Sequence, residues 1–498
     1  MASSVGAIAA GNIASKAVGL VRELLFAAWF GTGETATAYR IAQTTYLIPI
    51  QALVGDSLSA GLLPLYKKSQ NHSADRARNL LLIATLYALA VSLVVSTILY
   101  VFAKNVAGVV APGASANALS LASSLLKIMA LSTPFFILSG MLSYIEAAHG
   151  KYGAIAWRPM LLNIGSISGA GIAVWLRQDV WLAIGVLASH VGLFLWTLLQ
   201  LRRIGSVWPK SVPGRREATE ISTVFMRHLA PLLGLPLIAQ LNVLVERMIS
   251  SQIGVGVIPS VDYARFLCDT AVQVIAMPLG VLTMSKMAGA NPRSMHAHVV
   301  SATKATLSIA FPIGVFTSLN SEFIVRILFG RGAFNEHSIA LTSTALTWMA
   351  AGLGMTITSY YLIKALNAQL RNREALFITA MAVAANIMVN TLLWRQIGAG
   401  TPGLGIAAYS AVLMTLGLSR LKLWRDVLPL LTWLSIGCLI QIVATKTLAP
   451  RFKLGNEIVP IILMTSLIWL TLFLAVPELR RALSPLIPEL IKKRFNVT

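Results

Sequence analysis

Residues 4–33 read SVGAIAAGNIASKAVGLVRELLFAAWFGTG, an apolar stretch interrupted by Lys16, Arg22 and Glu23. At about 100° per residue, these three side chains fall within one sector of roughly 120° on a helix. Ionisable groups inside a membrane segment are expensive, so they usually face a bundle interior or a water-filled cavity. The stretch therefore predicts a membrane helix with one polar face, in a chain that moves something charged.

The rest of the chain has the composition of a polytopic membrane protein. Of its 498 residues, 56% are hydrophobic and 12% are charged, and the mean hydropathy is +0.74. Stretches near the ~20 residues needed to span a bilayer recur along it. We predict an all-α fold with about fourteen spans, at 4–30, 37–66, 79–103, 121–148, 155–176, 180–201, 221–251, 260–285, 299–319, 339–363, 374–394, 402–419, 428–446 and 457–476.

Several signals of other protein classes are missing from the sequence. The first span has no basic n-region or cleavage site, so we expect that it stays in the protein. Cys268 and Cys438 lie in apolar runs, which predicts core residues rather than a disulfide or a metal site. No histidine has metal-ligand spacing, and neither a Walker A nor a nucleophile-elbow motif occurs. We therefore expect no cofactor, no ATP hydrolysis and no glycosyl transfer.

The net charge is +22, and the Lys and Arg residues are distributed unevenly among the loops. If the N-terminus is cytoplasmic, the inside loops hold 23 Lys and Arg residues and the outside loops hold 7. This bias follows the positive-inside rule and predicts both termini in the cytoplasm. Aromatic residues do not interleave with these charges, so we expect contacts with membrane lipids and no nucleic-acid role.

The longest polar break in the first half, 202–220, divides six spans from eight and is typical of a linker between two bundles. The chain repeats itself weakly across this break. A Gly-x-Gly turn at 31–33 and another at 254–256 each precede a helix with Tyr and Arg in its first turn. Internal repeats are typical of transporters that bind substrate between their halves.

The eighth span carries the sharpest local pattern. Asp262, Arg265 and Asp269 fall within roughly 60° on one helix face. A guanidinium held between two carboxylates can exchange one of them for a phosphate, which it binds bidentately. The alternative is a purely structural ion-pair ladder near the membrane surface.

The seventh span places Gln240 and Arg247 on one face and Asn242 and Glu246 on another, about 140° away. One face can line a cavity while the other hydrogen-bonds to a neighbouring helix. Glu246 and Arg247 can equally pair with residues on other helices, so both interpretations stay open.

The charges of the first span need partners of their own. Lys16 can extend its ammonium to the membrane surface, but Arg22 lies deeper. An anionic substrate would neutralise Arg22, and pairing with Asp56 or another carboxylate is the alternative.

At these residues the chain resembles the MurJ-type lipid II flippases, the mouse virulence factor family, within the multidrug/oligosaccharidyl-lipid/polysaccharide exporter superfamily. The resemblance covers nearly the whole length. Its motifs are Ser15-Lys16-x-x-Gly19-x-x-Arg22-Glu23, Phe30-Gly31-x-Gly33, Pro159-x-Leu161-Leu162-Asn163, Gln240-x-Asn242-x-x-Val245-Glu246, Leu328-Phe329-Gly330-Arg331-Gly332-Ala333-Phe334, Asn386 with Asn390, and Gly403-Leu404-Gly405.

The chain also departs from the family pattern. Lys16 stands where the family has Arg, Thr37 where it has Asp, and 48–52 replaces a Pro-Asn-x-x-Arg segment. These departures favour a polyprenyl-diphosphate-linked sugar related to lipid II, such as an exopolysaccharide repeat unit, beside lipid II itself.

The resemblance implies two six-helix lobes around a basic central cavity, plus two accessory C-terminal helices. The expected bounds are 1–203 and 221–425 for the lobes, 204–220 for the cytoplasmic linker, and 426–498 for the accessory helices and basic tail.

The resemblance also implies a location in the bacterial inner membrane, a substrate and partners. The substrate is an undecaprenyl-diphosphate-linked saccharide, and other envelope-synthesis proteins are further partners. Lys16, Arg22 and Arg265 are the expected ligands of the diphosphate or sugar. The expected gating or coupling residues are Glu23, Asp56, Gln240, Asn242, Glu246, Arg247, Asp262 and Asp269.

Two other functions remain possible at this point. A drug or cation exporter of the same superfamily would need an excess of carboxylates in its cavity, whereas the candidates here are mainly basic. A membrane polymerase or ligase of lipid-linked sugars usually carries its catalytic residues in large outside loops, and the predicted outside loops are short.

Overall fold

The computed structural model describes residues 2–54, 56–205, 208–209, 212–229, 234–287, 292–369, 371–448 and 458–483. Within these ranges the chain is almost entirely helical and forms no β-strand. The predicted all-α fold is confirmed. By its packing the chain divides into two compact units. Unit 1 comprises Met1–Pro259 with Arg331–Asn335, and unit 2 comprises Ser260–Gly330 with Glu336–Thr498.

The helices before residue 254 belong to unit 1. They are α1 (Ala2–Phe30), α2 (Glu34–Val54), α3 (Asp56–His72), α4 (Ala74–Val101), α5 (Ala103–Val110), α6 (Ala116–Ala130), α7 (Thr133–Ala148), α8 (Gly153–Leu176), α9 (Val180–Arg202), α10 (Arg215–Leu229) and α11 (Gly234–Ile253).

The helices of unit 2 begin within α12, which crosses the boundary between the units. They are α12 (Val257–Met287), α13 (Pro292–Leu319), α14 (Ser321–Phe329), α15 (Glu336–Ala351), α16 (Leu353–Ala368), α17 (Asn372–Ile397), α18 (Thr401–Arg420), α19 (Trp424–Leu448), α20 (Ile458–Ala475) and α21 (Pro477–Leu483).

Many of these helices have the length and hydropathy of membrane spans. Within the described residues, six are long and apolar enough to cross a bilayer by themselves, and up to nine spans result if each bent pair counts as one. The protein is therefore a multi-pass membrane protein, and the figure of fourteen spans stays a prediction.

Two predicted spans are broken helices rather than straight ones. The predicted span 121–148 is the pair α6 and α7, bent by 47°, and 339–363 is the pair α15 and α16, bent by 50°. The predicted span 37–66 falls on α2 and α3, and residue 55 between them lies outside the described residues. Both helices continue through a proline, Pro49 in α2 and Pro64 in α3.

The predicted span 221–251 falls on two helices, α10 and α11, and residues 230–233 between them lie outside the described residues. Its first part lies in α10, which is amphipathic and buries Ile221 and Phe225. These side chains pack α10 on α3 and α4, where Phe225 stacks on Tyr87. Hydrogen bonds from Arg76 to Glu220 (2.6 Å) and from Asn79 to Glu217 (2.9 Å) fix its polar side. The remaining part of the span is α11.

Along the sequence, the main part of unit 1 ends at Pro259, downstream of the predicted linker 204–220. The reason lies in packing, because α10 packs on α3 and α4, and α11 packs on α2 and α5. Packing units need not coincide with the lobes that move in transport. The predicted lobe bounds, 1–203 and 221–425, therefore stay a prediction.

Close glycine contacts position α8 against α9. A side chain added at Gly165 would collide with Ser189, and one added at Gly169 would collide with Gly185. Small residues four apart on facing helices let two backbones approach closely in a membrane protein. This contact fixes α8, the helix that carries Asn163 and Arg158.

The end of α1 is covered by a short segment from later in the chain. Gly31 ends the helix with φ +56°, a conformation that favours glycine. The amide of Ala333 donates to the carbonyl of Ala28 at 2.7 Å, and a side chain at Gly31 or Gly332 would collide with this segment or with α1. Residues 331–335 belong by their packing to unit 1, although the helices on either side belong to unit 2.

The core of unit 2 includes the last helices of the chain. Leu430 and Leu434 of α19 and Trp469 of α20 share one buried cluster with Leu362 of α16 and Ile378 of α17. The helices predicted as accessory thus pack into the same hydrophobic core as the helices before them.

Candidate functional site: a cation cluster on the first helix

The polar face predicted for the first span lies on α1 and is built around Glu23. One oxygen of its carboxylate accepts from Nη2 of Arg22 at 2.5 Å, and the other accepts from Nη2 of Arg40 at 2.5 Å. Arg40 lies in the second turn of α2, so the cluster joins two helices. One carboxylate therefore serves two guanidinium groups.

Arg22 reaches a third helix through an amide. Its Nη1 donates to Oδ1 of Asn163 on α8 at 2.7 Å, and Nδ2 of Asn163 donates in turn to the carbonyl of Ser15 on α1 at 3.2 Å. This arrangement fixes the amide orientation, because Oδ1 accepts and Nδ2 donates. Asn163 thus holds Arg22 in place without neutralising its charge.

Arg40 is held by an aromatic ring as well as by Glu23. Its guanidinium lies over the Phe26 ring, 5.1 Å from the centroid, and its Nη1 donates to Oε1 of Gln43 at 3.3 Å. The Phe26 ring packs in turn on Phe30 and Tyr39, at 4.9 Å between centroids in each pair. Cation–π contact of this kind favours Arg over Lys.

The members of the cluster differ in exposure, and this difference decides what they can do. The side chains of Glu23 and Arg40 are 3% and 8% exposed, whereas that of Arg22 is 26% exposed. Two guanidinium groups and one carboxylate leave a formal charge of +1. This surplus lies beside the one member that a ligand can reach. The cluster can therefore bind an anion through Arg22 while Glu23 stays committed to Arg40.

This geometry shows in part which group neutralises Arg22. A carboxylate does pair with it, but that carboxylate is Glu23, the adjacent residue, and it is shared with Arg40. Asp56 begins α3, and its side chain lies outside the described residues. Lys16 is exposed on α1 and takes part in interactions of its own.

The seventh-span candidates lie on α11 in unit 1. Nε2 of Gln240 donates to Oε1 of Gln51 at 3.3 Å, and Nη1 of Arg247 donates to the carbonyl of Ile258 at 3.3 Å. Glu246 and Arg247 are both buried. Asn242 is half-buried on the same helix. Arg247 thus contacts the start of α12, and both interpretations of this helix stay predictions.

The eighth-span candidates lie together on α12 in unit 2, as their spacing predicts. Asp262 and Arg265 are half-buried and Asp269 is exposed. All three take part in polar or electrostatic interactions. Arg265 and Asp269 both lie close enough to Cys268 to act on it electrostatically. The ladder therefore runs from a half-buried to an exposed position.

Two members of the cation cluster were not among the predicted site residues. Arg40 is the arginine that follows the Gly-x-Gly turn at 31–33, and Asn163 ends the motif that begins at Pro159. Each is a polar residue in an apolar helix, and this pattern could have identified both as candidates. Within the part of the chain that the structure describes, no group of three or more His, Cys, Asp or Glu side chains is arranged to hold a metal ion.

Comparison with known proteins identifies the family. The family model described as "Lipid II flippase MurJ" matches residues 26–476. The chain belongs to this family. The match begins after Lys16, Arg22 and Glu23 and includes Arg40, Asn163, Arg265 and Asp269.

Individual relatives agree with the family model. A probable lipid II flippase MurJ of Thermotoga maritima is 24% identical over 408 residues, which cover 82% of this chain and 81% of the relative. A lipid II flippase MurJ of Burkholderia cenocepacia is 24% identical over 356 residues, covering 69% and 68% respectively.

Solved structures show the same fold. "Lipid II flippase MurJ, inward closed conformation" matches with a TM-score of 0.81 and 20% identity, over 93% of this chain and 97% of that one. An inward-facing multidrug resistance MATE family transporter of the MOP superfamily matches with a TM-score of 0.67 and 14% identity, over 83% and 96%. The predicted resemblance to the MurJ family is confirmed by the family model, and the solved structures show that the fold is shared.

Proposed function

We propose that the protein carries a polyprenyl-diphosphate-linked saccharide, lipid II or a related repeat unit, from the cytoplasmic to the periplasmic leaflet. The observation that carries this proposal is the surplus charge at Arg22. A diphosphate offers several anionic oxygens, and a guanidinium binds two of them in parallel. Family membership supports the same substrate class, because the relatives named above are lipid II flippases.

Arg22 is well suited to hold a diphosphate that must later be released. Its carboxylate is shared with Arg40, and Asn163 fixes its direction, so the group is oriented before a ligand arrives. Orientation in advance reduces the entropy cost of binding. Lys16, exposed on the same helix, and Arg265 on α12 are proposed as further ligands, as the sequence predicts.

The proposed orientation follows the Lys and Arg bias of the loops, with both termini in the cytoplasm of a bacterial inner membrane. A membrane-impermeant thiol reagent applied to intact cells should therefore label a cysteine at Asn117 and miss one at Asn71, both of which are exposed positions. The reverse pattern would overturn the orientation.

Replacing Arg22 tests the function directly. In Arg22→Ala, Glu23 keeps its bond to Arg40, so the variant should fold and insert normally. Flipping of a polyprenyl-diphosphate saccharide by purified protein in liposomes should fall at least about a hundredfold, as expected when two charge-assisted hydrogen bonds are lost. Arg22→Lys should recover only part of the activity, because an ammonium cannot bind bidentately.

The control is Arg177→Ala, which removes an exposed cation at the far end of α8 and should flip the saccharide at the normal rate. Normal turnover by Arg22→Ala at normal expression would refute the proposed role. Export of a cationic dye by the same liposomes, without saccharide flipping, would instead identify a drug exporter.

A further inference from the structure

A second arginine of unit 1, Arg158, lies inside the helix bundle with a different set of neighbours. It is half-buried in the second turn of α8, and its guanidinium lies over the Phe136 ring of α7, 4.5 Å from the centroid. Tyr46 and Tyr144 are near enough to act on its charge. Within the described residues its guanidinium forms no ion pair and no hydrogen bond.

The nearest candidate carboxylate along the chain is already committed. Glu146 is buried at the end of α7, where its Oε2 accepts from the backbone amide of Ala154 at 2.9 Å. It thereby satisfies a free donor in the first turn of α8. Arg158 is thus a cation inside a membrane bundle that is stabilised chiefly by an aromatic face. The five N–H donors of its guanidinium would be satisfied by the oxygens of an anion.

His190 places a second polar group beside the Phe136 ring. Its ring lies 4.8 Å from that of Phe136, between centroids, and it is buried on α9. Nδ1 lies 2.7 Å from the carbonyl oxygen of Val186, which can only accept, so Nδ1 donates and Nε2 carries the lone pair of the neutral ring. Nε2 is buried and has no partner among the described residues. It is an acceptor for a hydroxyl.

The surroundings indicate where a ligand would come from. Lys151, Tyr152 and Trp157 lie just before Arg158 and are exposed, the last two by 38% and 48%. Exposed Tyr, Trp and Lys at a helix end are typical of the interface between membrane and water. Basic pockets between helices at this level bind lipid headgroups.

We propose that Arg158 is the cationic centre of a phosphate-binding site within unit 1, with His190 accepting from a hydroxyl that neighbours the phosphate. Phosphatidylglycerol carries a phosphate with neighbouring glycerol hydroxyls in its headgroup, and inorganic phosphate is a free anion that carries its own P–OH. The site is separate from the Arg22 cluster, since Arg158 and Asn163 point about 140° apart on α8. It does not depend on the proposed function.

Binding to the full-length, delipidated protein in detergent tests the site. Phosphatidylglycerol, phosphatidylcholine and inorganic phosphate are titrated separately, and affinity is taken from the rise in melting temperature and from lipid adducts in native mass spectrometry. Phosphatidylglycerol should stabilise the wild type in a saturable manner, and phosphatidylcholine should not. Arg158→Gln should weaken this binding at least about tenfold, the effect expected for a lost charge-assisted hydrogen bond.

Arg177→Gln, at the other end of α8, is the matched control and should bind as the wild type does. Arg158→Lys is the second variant, to be used if Arg158→Gln fails to fold. It keeps the charge but loses the planar donors, so its affinity should fall between the other two. Arg158-dependent binding of phosphate alone would support the site and identify free phosphate as its ligand. The absence of saturable binding, or equal binding by Arg158→Gln, would overturn it.

Discussion

Arg22 and Arg158 are both arginines within the helix bundle of unit 1, and their charges are accommodated in opposite ways. Arg22 has a carboxylate, an amide and a second arginine around it, whereas Arg158 has aromatic rings. An internal carboxylate makes a cation part of the folded structure. An aromatic face holds a cation in place but leaves its hydrogen-bonding capacity open. The two sites should therefore respond differently to the loss of a charge.

The largest effect is expected from Glu23→Gln. This change leaves two guanidinium groups facing each other in a buried cluster without their shared carboxylate. Removing one partner from a buried ion pair costs about 3–5 kcal/mol of unfolding free energy. Unfolding of the purified variant in detergent measures the loss.

Glu34→Gln is the control, because Glu34 is exposed at the start of α2 and bonds only to Ser115 among the described residues. Its unfolding free energy should change by less than about 1 kcal/mol. If Glu23→Gln were as stable as this control, the carboxylate would not be what neutralises the two arginines, and the contrast with Arg158 would disappear.

A much smaller effect on stability is expected from Arg158→Gln in lipid-free detergent. The change removes a cation–π contact, which contributes about 2 kcal/mol when it is desolvated, and it also relieves the opposing cost of keeping a charge out of water. The net change in unfolding free energy should therefore stay within about 1 kcal/mol, in contrast to Glu23→Gln. A loss of several kcal/mol would show that Arg158 is a structural group like Arg40.

The smallest effect on stability is expected at Arg326, a solvent-exposed arginine that extends the comparison. Arg326 on α14 donates to Glu322 at 3.0 Å and to Glu336 at 2.6 Å, and all three side chains are exposed. The hydrogen bond from Arg326 lowers the pKa of Glu336 below its ordinary value of 4.5. The resulting stabilisation is present above pH 4.5 and is lost as the pH falls through the lowered pKa.

Melting temperatures of the wild type and Glu336→Gln should therefore differ slightly at pH 7 and converge below pH 4.5. Exposed ion pairs contribute little and are screened by salt, so the difference should also shrink in high salt. A difference that persists in acid would mean that Glu336 acts through its packing rather than its charge.

The sequence predicted what composition and local spacing control. The polytopic helical fold follows from hydropathy, and the charged face of α1 follows from the positions of Arg22 and Glu23. The shared placement of Asp262, Arg265 and Asp269 on α12 follows from helical periodicity. These features depend on residues that lie close together along the chain.

The remaining features depend on contacts between distant residues. Glu23 binds Arg40 from another helix, and Arg22 binds Asn163, 141 positions away, so no local pattern assigns either partner. The position of α10 has the same origin. Ile221 and Phe225 continue the apolar pattern of the sequence, and they pack α10 on α3 and α4, more than 100 positions away along the chain.

The five residues 331–335 have a practical consequence for dividing the gene. A fragment ending at Pro259 would contain every helix of unit 1 before α12 but would lack the segment 331–335, which covers the end of α1. The carbonyl of Ala28 would lose the amide of Ala333, and the surface beside Gly31 would be uncovered. When the fragment 1–259 is expressed alone, it should therefore be more stable with a linked peptide of residues 331–335 than without it.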